Sequence, residues 1–478
     1  MSTPVALQIE DDPATPLFLR IARAVVHDIE RGRLRPGTRL PGTRSLAAQL
    51  GINRNTVVAA YHELALQGWI ELQPARGAAV ARALPDFVPL AGRGIQEPAR
   101  PTAPHTGAVQ AAPAVVFSDG TPDPRLVPRA ELARAFRRAL VSPAFLAPTG
   151  YGDPRGNLRL RAALGDLLAT TRGLAIGPDD ILLTRGSQMA LFLAARALAA
   201  PGLAIAVEDP GYPLAWAAFR AAGARLVGIP VDRDGIDVEA LADLTRRDPG
   251  IRAVLVTPHH QYPTTTTLGA GRRLALLQLA AARDWTVIED DYDHEYRYEG
   301  RPVLPLAAAA APGRVIYVGS LSKLLAPGLR LGYAVAAPAL LGTMAAEREP
   351  IDRQGDIPLE QAVAELLADG ELGRHARKAR RIYLQRRDAL VAALRRTLPG
   401  ALAFDVPAGG LAVWARVADG IDAAHWAARA LERGLAVSPG ARFSLDGIAP
   451  AAFRLGFAAL EEGELQAAVR RLADARPG

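Results

Sequence analysis

Apolar residues recur along the chain in three different patterns, and the changes of pattern divide it into three segments. From Pro16 to about Val80 the apolar positions follow helical spacing between turn signals. Residues 82–113 are dominated by Pro, Gly and Ala and sustain no period, which predicts a semi-extended linker. We therefore predict a small head over residues 13–81, this linker, and a large body over residues 114–478.

The body alternates short runs of Val, Ile and Leu with helical patterns rich in Ala, Leu and Arg. Strands are predicted at ILLT (181–184), LAIAVE (203–208), RLVGIPV (225–231), AVLVT (253–257), WTVIED (285–290) and VIYVG (315–319). Strands that alternate with helices predict an α/β fold with a mostly parallel sheet and ligand groups at the carboxyl ends of the strands. From about Pro350 a long charged helix and short strands such as LAVWARV (411–417) and FRLGF (453–457) predict a small α+β subdomain over about 350–478.

Composition narrows the classes of protein to consider. The chain has no cysteine, which excludes disulfides, thiolate metal sites and cysteine nucleophiles. The first residues are acidic and lack the pattern of a signal peptide, and no apolar run reaches the length of a membrane span, so we expect a cytoplasmic protein without a membrane partner. The net charge of +7 is compatible with a nucleic-acid partner but is weak support for one.

The head contains a helix-turn-helix pattern. A short helix is predicted over residues 44–50, a turn at Gly51, and a longer helix that begins after Asn53 and runs to Gln67. Such a second helix enters the major groove of double-stranded DNA at its first turn. The side chains suited to base edges and phosphates there are Arg44, Arg54, Asn55 and Thr56.

A hairpin of residues 69–72 and 78–81 follows and predicts a wing, from which Arg76 would reach the DNA backbone or minor groove. Residues 13–81 hold nine Arg against four acidic residues, so the head is basic. The alternative is a small helical protein-interaction domain with ordinary surface arginines.

Lysine is rare in this chain, which contains only Lys323 and Lys378. Arginine serves surface charge and phosphate pairing at least as well as lysine, so a retained lysine indicates chemistry that needs a deprotonated amine. Lys323 lies in "GSLSKLLAPGLRLGY" (319–333), behind two serines. A Schiff-base cofactor such as pyridoxal 5'-phosphate needs such a lysine, a phosphate cradle, and a group that keeps the pyridine nitrogen protonated.

The strand "WTVIEDDYDHEYRYE" becomes acidic and aromatic at its end. With a period of two, Asp290 and Tyr292 share one face, which suits a carboxylate on the pyridine nitrogen and a phenol on the ring oxygen. A solvated charge run, or an acidic metal cluster with His294, is the alternative interpretation.

A glycine turn between a strand and a helix predicts the phosphate cradle. Gly186, Ser187 and Gln188 lie at that junction in "TRGSQMALFLAARAL", where free N–H groups and the helix dipole favour an anion. Ser320 and Arg330 flank the lysine and can contact the same phosphate.

Both parts of the chain resemble known families. The head resembles the GntR-type winged helix through a shared set of residues: Leu40, Thr43, Arg44, Leu50, Gly51, Arg54, Thr56, Val57, Ala60 and Tyr61. The body resembles the fold-type I aminotransferases through "EDPGY", "TPHHQYP", "IEDDYD", "GSLSK…PGLRLGY" and "RLGF". The whole chain is therefore similar to MocR/GabR-type regulators, in which a GntR-family head is fused to an aminotransferase-like domain.

This resemblance implies a role for each matching residue. Lys323 would form the internal aldimine, Asp290 would pair the pyridinium, Tyr292 would meet the ring oxygen and Tyr212 would stack on the ring. The phosphate would be held by Gly186, Ser187, Gln188, Ser320, Ser322 and Arg330, and Arg454 would bind the carboxylate of an amino-acid-like effector. The resemblance also implies a head-to-tail homodimer that reads two half-sites of an operator.

Two parts of the body match less closely. Where aminotransferases place an asparagine against the ring oxygen, this chain has His259, His260 and Gln261, and the sequence does not decide which of them faces the cofactor. With no third ligand nearby in sequence, we predict no metal at the paired histidines. Tyr151, in "YGDPRG", either reaches a neighbouring subunit's phosphate or is a packed loop tyrosine.

These features predict a pyridoxal-phosphate-dependent transcriptional regulator that senses an amino compound or the cofactor itself. The alternatives are a working aminotransferase with an appended DNA-binding head, and a DNA-binding scaffold that has lost its cofactor. Whether the protein is an enzyme stays open at this point.

Overall fold

The computed structural model describes residues 7, 9, 12, 15–73, 77–84, 115–146, 151–300, 303–311, 313–445, 447 and 450–477. The chain divides into two compact units, Met1–Ala108 and Val109–Gly478. Most of the predicted linker lies outside the described residues. Within the described part, no helix combines the length and apolar character that crossing a bilayer requires.

The described residues of the head form three helices and one hairpin. The helices are α1 (Leu17–Glu30), α2 (Thr43–Leu50) and α3 (Arg54–Leu66), and the strands are β1 (Ile70–Gln73) and β2 (Gly77–Val80). The two strands pair in antiparallel register. The predicted helix-turn-helix and hairpin are thus confirmed, and each predicted boundary lies within one residue of the observed one.

Local sequence explains the sharp turn between α2 and α3. Gly51 adopts a left-handed conformation with φ of +65° and ends α2, and the Asn53 side chain accepts a hydrogen bond from the Asn55 N–H at 2.8 Å, which caps α3. One face of α3 is buried against the head core, including Val57 and Tyr61. The Tyr61 hydroxyl donates to the Pro41 carbonyl at 2.8 Å and ties α3 to the segment before α2.

The large unit alternates helices and strands as the sequence predicts. Its helices are α4 (Arg129–Leu140), α5 (Pro143–Leu146), α6 (Leu158–Arg172), α7 (Ser187–Ala197), α8 (Pro213–Ala221), α9 (Val238–Arg247), α10 (Ala270–Arg283), α11 (Leu306–Ala309), α12 (Pro338–Asp352), α13 (Ile357–Ala368), α14 (Glu371–Thr397), α15 (Ala423–Glu432) and α16 (Glu462–Asp474). Its strands are β3 (Val115–Val116), β4 (Ile181–Thr184), β5 (Ala204–Asp209), β6 (Arg225–Asp232), β7 (Gly235–Ile236), β8 (Ile251–Val256), β9 (Thr286–Asp291), β10 (Val315–Ser320), β11 (Gly332–Val335), β12 (Leu402–Ala403), β13 (Ala412–Val417), β14 (Leu435–Ala436), β15 (Ser438–Pro439) and β16 (Ala452–Gly456).

An eight-stranded sheet forms the centre of this unit, in the order β4-β11-β10-β9-β8-β5-β6-β7. Strands β6, β5, β8, β9 and β10 pair in parallel, and β11 and β7 run antiparallel to their neighbours. The central strands are mostly apolar, because helices cover both faces of the sheet, and β5 and β9 become acidic at their carboxyl ends. Their carboxyl ends therefore meet at one edge, which is where the predicted site residues lie.

A second, antiparallel sheet forms the small subdomain. It has the order β12-β13-β16-β15 and packs with the long helix α14 and with α16 around one apolar core. The two-residue strand β3 pairs in parallel with β14, so the segment that begins at Val115 joins this part of the fold. The sequence did not predict that pairing.

Candidate functional site

A cleft with about 660 Å³ of empty space opens at the carboxyl edge of the central sheet. It is lined by Asp119, Thr121, Ser187, Tyr212, Leu214, Thr257, Tyr262, Asp290, Tyr292, Ser320 and Lys323. Six of the sequence-predicted site residues thus meet in one cleft, namely Ser187, Tyr212, Asp290, Tyr292, Ser320 and Lys323.

Asp290 presents an unpartnered carboxylate to this cleft. It lies near the end of β9 and is 3% exposed, and its Oδ1 has no hydrogen-bond partner among the described residues. Burial, and then the charges of Asp291 and Asp293, raise the pKa of Asp290 to about 7. A positively charged group in the cleft would stabilise the ionised form of this carboxylate.

Lys323 lies in the same cleft, in the segment that follows β10. Its Nζ donates a hydrogen bond to the Gly120 carbonyl at 2.8 Å, and its own carbonyl accepts one from the Tyr296 hydroxyl at 3.0 Å. Burial lowers the pKa of Lys323, and the charge of Asp119 opposes that shift. A lowered pKa increases the fraction of neutral amine, which is the form that attacks a carbonyl.

Two tyrosines flank the cleft. The Tyr292 hydroxyl donates to the His260 carbonyl at 3.0 Å, and Tyr212 immediately precedes α8. The ring of Tyr212 meets the ring of Tyr262 edge-on, with 4.9 Å between centroids. Both predicted tyrosines therefore present an aromatic ring or a phenol to a flat ligand.

The predicted anion cradle is formed at the start of α7. Gly186 precedes this helix with φ of +79°, and no side chain caps the helix N-terminus, so backbone N–H groups stay available for an anion. Arg330 packs directly on Gly186: a Cβ there would lie 2.8 Å from its Nη2. The same Nη2 donates to the Arg185 carbonyl at 3.1 Å, which holds the guanidinium beside the helix N-terminus.

Five predicted cofactor residues are not part of the described cleft lining, namely Gly186 and Arg330 of the cradle and also Gln188, Ser322 and Tyr151. The Gln188 amide donates to the Leu214 carbonyl, and the Ser322 hydroxyl points to the Leu331 carbonyl at 3.5 Å. The Tyr151 ring is 72% exposed and lies under the Arg353 guanidinium at 4.0 Å.

In the segment after β8, the three residues predicted as candidates for the ring oxygen, His259, His260 and Gln261, are not part of the described cleft lining. His260 Nδ1 lies 2.7 Å from Asp293 Oδ1, the His259 ring lies 4.5 Å from the ring of His294, and the Gln261 amide donates to the Pro210 carbonyl at 2.9 Å. Thr257 and Tyr262, on either side of them, line the cleft instead.

Folding brings His259 next to two residues at the acidic strand end, including the His294 of the metal-cluster alternative. One potential ligand atom from each of His259, Asp291 and His294 lies within 4.8 Å of the others. Asp291 already accepts a hydrogen bond from the Tyr317 hydroxyl at 2.7 Å and lies 3.8 Å from the Arg172 guanidinium. A metal ion at this place would lie close to the positively charged Arg172 guanidinium. The geometry therefore favours a buried, hydrogen-bonded cluster of these three side chains over a metal site.

Arg454, which the resemblance implies as the carboxylate-binding residue, is 1% exposed and already paired. Its Nε lies 2.9 Å from Asp119 Oδ1 without an aligned hydrogen bond, and its Nη1 donates to the Pro263 carbonyl at 2.6 Å. The Tyr262 hydroxyl donates to Oδ2 of the same aspartate. The described cleft lining includes Asp119 but not Arg454.

Among the described residues, those predicted to contact DNA lie in α2 and at the start of α3. Arg44, Arg54 and Asn55 are exposed and Thr56 is half-buried, as a DNA-reading helix requires. His62, further along α3, is also exposed, and the sequence did not predict it as a DNA contact. Arg76 lies outside the described residues.

Comparison with known proteins agrees with the division of the chain into a head and a body. Residues 17–80 match the family of bacterial regulatory proteins of the gntR type, and residues 128–472 match aminotransferase class I and II. The probable rhizopine catabolism regulatory protein MocR of Rhizobium meliloti is 34% identical over 86% of this chain and 83% of its own length. The pyridoxine biosynthesis transcriptional regulator PdxR of Corynebacterium glutamicum is 34% identical over 80% of each chain. The chain belongs to the MocR-type regulators of the GntR family. As in other MocR-type regulators, a DNA-binding head is joined to an aminotransferase-like domain.

The aminotransferase-like domain of this MocR-type regulator is also similar to solved enzymes. The α-aminoadipate aminotransferase LysN of Thermus thermophilus, complexed with N-(5'-phosphopyridoxyl)-L-leucine, is 32% identical, with a TM-score of 0.69 over 76% of this chain and 91% of that one. The cofactor of this fold is pyridoxal phosphate, and the residues present fit it. The unpartnered Asp290 Oδ1 suits a protonated ring nitrogen, and the uncapped α7 with Arg330 suits a phosphate.

Proposed function

We propose that this MocR-type regulator binds an operator through its head and senses an amino compound through pyridoxal phosphate held in the cleft. The observation that carries the proposal is the buried Asp290 Oδ1, which lacks a partner among the described residues and shares a cleft with Lys323. A carboxylate in that state is costly unless a cation completes the site.

When bound, pyridoxal phosphate supplies an aldehyde that captures primary amines and a ring that withdraws electrons. In this proposal Lys323 holds the cofactor through its amine, and Asp290 holds a proton on the ring nitrogen. Tyr292 donates to the ring oxygen and Tyr212 covers one ring face. The phosphate is held by Gly186, Ser187, Gln188, Ser320, Ser322 and Arg330.

A head-to-tail homodimer in the cytoplasm completes the proposal. Such a dimer carries two heads and therefore reads two half-sites of an operator. Tyr151 would reach the phosphate site of the partner subunit, and its 72% exposure in one chain supports that role. Base and backbone contacts would come from Arg44, Arg54, Asn55, Thr56 and Arg76.

The chain offers a matched control for a direct test, because it has only two lysines. The protein is incubated with pyridoxal phosphate, reduced with borohydride and mapped by peptide mass. We expect the adduct on Lys323 in wild type and in Lys378→Ala, and none in Lys323→Ala. An adduct on Lys378, or no adduct, would overturn the cofactor assignment.

The regulatory part is tested by DNA binding. We expect the full-length protein to bind the DNA upstream of its own gene or of its neighbours, and a suitable amine to change that affinity in wild type but not in Lys323→Ala. Repeated release of an oxo acid together with no affinity for such DNA would show an aminotransferase instead.

A further inference from the structure

Asp119 brings a carboxylate to the part of the cleft where the ligand is expected. It follows the short strand β3, next to Gly120, whose carbonyl accepts the hydrogen bond from Lys323 Nζ at 2.8 Å. The Asp119 side chain is 34% exposed and lines the cleft, whereas the Arg454 side chain behind it is 1% exposed. A ligand that enters the cleft therefore meets this aspartate before it meets the arginine.

Two nitrogens of the Arg454 guanidinium already face oxygen atoms. Asp119 occupies its Nε edge at 2.9 Å, and the Pro263 carbonyl accepts from its Nη1 at 2.6 Å. A guanidinium binds a carboxylate best through two parallel N–H groups on one edge. An incoming carboxylate that uses the Nε edge must therefore displace Asp119.

The balance of charge points to the ligand that makes this exchange favourable. Among the described residues that line the cleft, the acidic side chains are Asp119 and Asp290, and Lys323 is the only basic one. Asp290 is committed to the cofactor in the function proposed above. A ligand with one amine and one carboxylate would leave two carboxylates competing for Arg454, whereas a second cation on the ligand would pair Asp119.

We propose that Asp119 is a specificity-determining residue that recognises a second positively charged group on the effector, in addition to the amine that reaches the cofactor. The ligand class is a diamine or an amino acid with a cationic side chain. With an amino acid, the ligand cation draws Asp119 away and frees the Nε edge of Arg454 for the ligand carboxylate. The inference rests on the proposed cofactor function and extends it to the class of effector.

Two matched ligand pairs test the proposal on the full-length protein loaded with pyridoxal phosphate. Ornithine is compared with norvaline, and 1,4-diaminobutane with butylamine, because each pair differs only in the second amine. Apparent affinity is read from the change in the visible absorption spectrum during titration. The variants are Asp119→Asn, which removes the charge and keeps the shape, and Asp234→Asn, a carboxylate that is 61% exposed, as the control.

We expect wild type and Asp234→Asn to bind the cationic member of at least one pair about 10- to 100-fold more tightly, as a charge-assisted hydrogen bond provides. Asp119→Asn should lose that preference and should bind norvaline as tightly as wild type or more tightly. Preference within the first pair only identifies an amino acid as the source of the cation, and preference within the second pair identifies a diamine.

Equal affinity within both pairs in wild type, or an unchanged preference in Asp119→Asn, would overturn the role of Asp119. Borohydride trapping on Lys323 is measured on the same samples. Trapping without preference rejects the Asp119 inference alone, whereas absence of trapping in wild type rejects the proposed function and this inference with it.

Discussion

Asp290→Asn should stabilise the cofactor-free protein against unfolding and should lower its affinity for the cofactor. In the cofactor-free cleft the Asp290 carboxylate is 3% exposed, and its Oδ1 lacks a partner among the described residues. Burial raises its pKa from the ordinary value of 3.8 to about 7. The folded chain therefore binds this proton more tightly than the unfolded chain does.

The sign and size of the effect follow from that pKa. Since the folded pKa is raised, the destabilisation develops as pH rises from about 4 and is complete above about pH 7. About three pKa units at 1.36 kcal/mol each correspond to about 4 kcal/mol. The asparagine amide stays unsatisfied at a cost of about 1–3 kcal/mol. We expect the cofactor-free variant to be about 1–3 kcal/mol more stable than wild type at pH 8 and nearly equal to it at pH 5.

Thermal or urea unfolding of the cofactor-free protein at the two pH values measures this difference. With pyridoxal phosphate the order should reverse, because removal of one partner from a buried ion pair costs about 3–5 kcal/mol, or more than 100-fold in affinity. The exposed-site control Asp234→Asn should show neither effect. A cofactor-free Asp290→Asn that is less stable than wild type at pH 8, or an advantage that grows toward pH 5, would refute the reasoning.

Three further predictions concern other parts of the structure. Gly186→Ala should lower cofactor affinity at least tenfold, because the added Cβ would lie 2.8 Å from the Arg330 guanidinium. The control Gly223→Ala, at a glycine that also has positive φ but no atom within 4 Å, should lose only about 1 kcal/mol of stability. Equal cofactor affinity in the two variants would contradict the predicted phosphate cradle. Tyr61→Phe should cost about 1 kcal/mol in the unfolding of the head, since its buried hydroxyl donates to a carbonyl at 2.8 Å, and an unchanged stability would show that this bond is not needed. In DNA titrations at several salt concentrations, Arg54→Gln should weaken binding to all DNA sequences and make the affinity less dependent on salt. Asn55→Ala should mainly reduce the preference for one DNA sequence over another. Identical effects of the two substitutions would argue against the predicted docking of α3.

What the sequence predicted correctly depended on local spacing. The central strands were found because they are buried on both faces. Asp290 and Tyr292 were placed together because they are two positions apart at the end of β9, with only Asp291 between them. Asp119 was missed, since an Asp-Gly pair is an ordinary turn signal. Its partners Tyr262 and Arg454 lie 143 and 335 positions away in sequence, and only the fold brings them together.

The two halves of the cleft differ in a way that bears on how it would respond to ligands. The cofactor half contains a buried carboxylate whose Oδ1 has no hydrogen-bond partner among the described residues, so binding of the cofactor would remove an unfavourable state and stabilise the domain by mass action. In the effector half, Asp119 and Arg454 already form an ion pair, with 2.9 Å between Oδ1 and Nε. An effector must exchange that ion pair for new ones, and its affinity is then the difference between two sets of charge pairs. Such a difference is small for a ligand with a single charge to offer and large for one that satisfies both residues at once, so the existing ion pair makes the cleft selective.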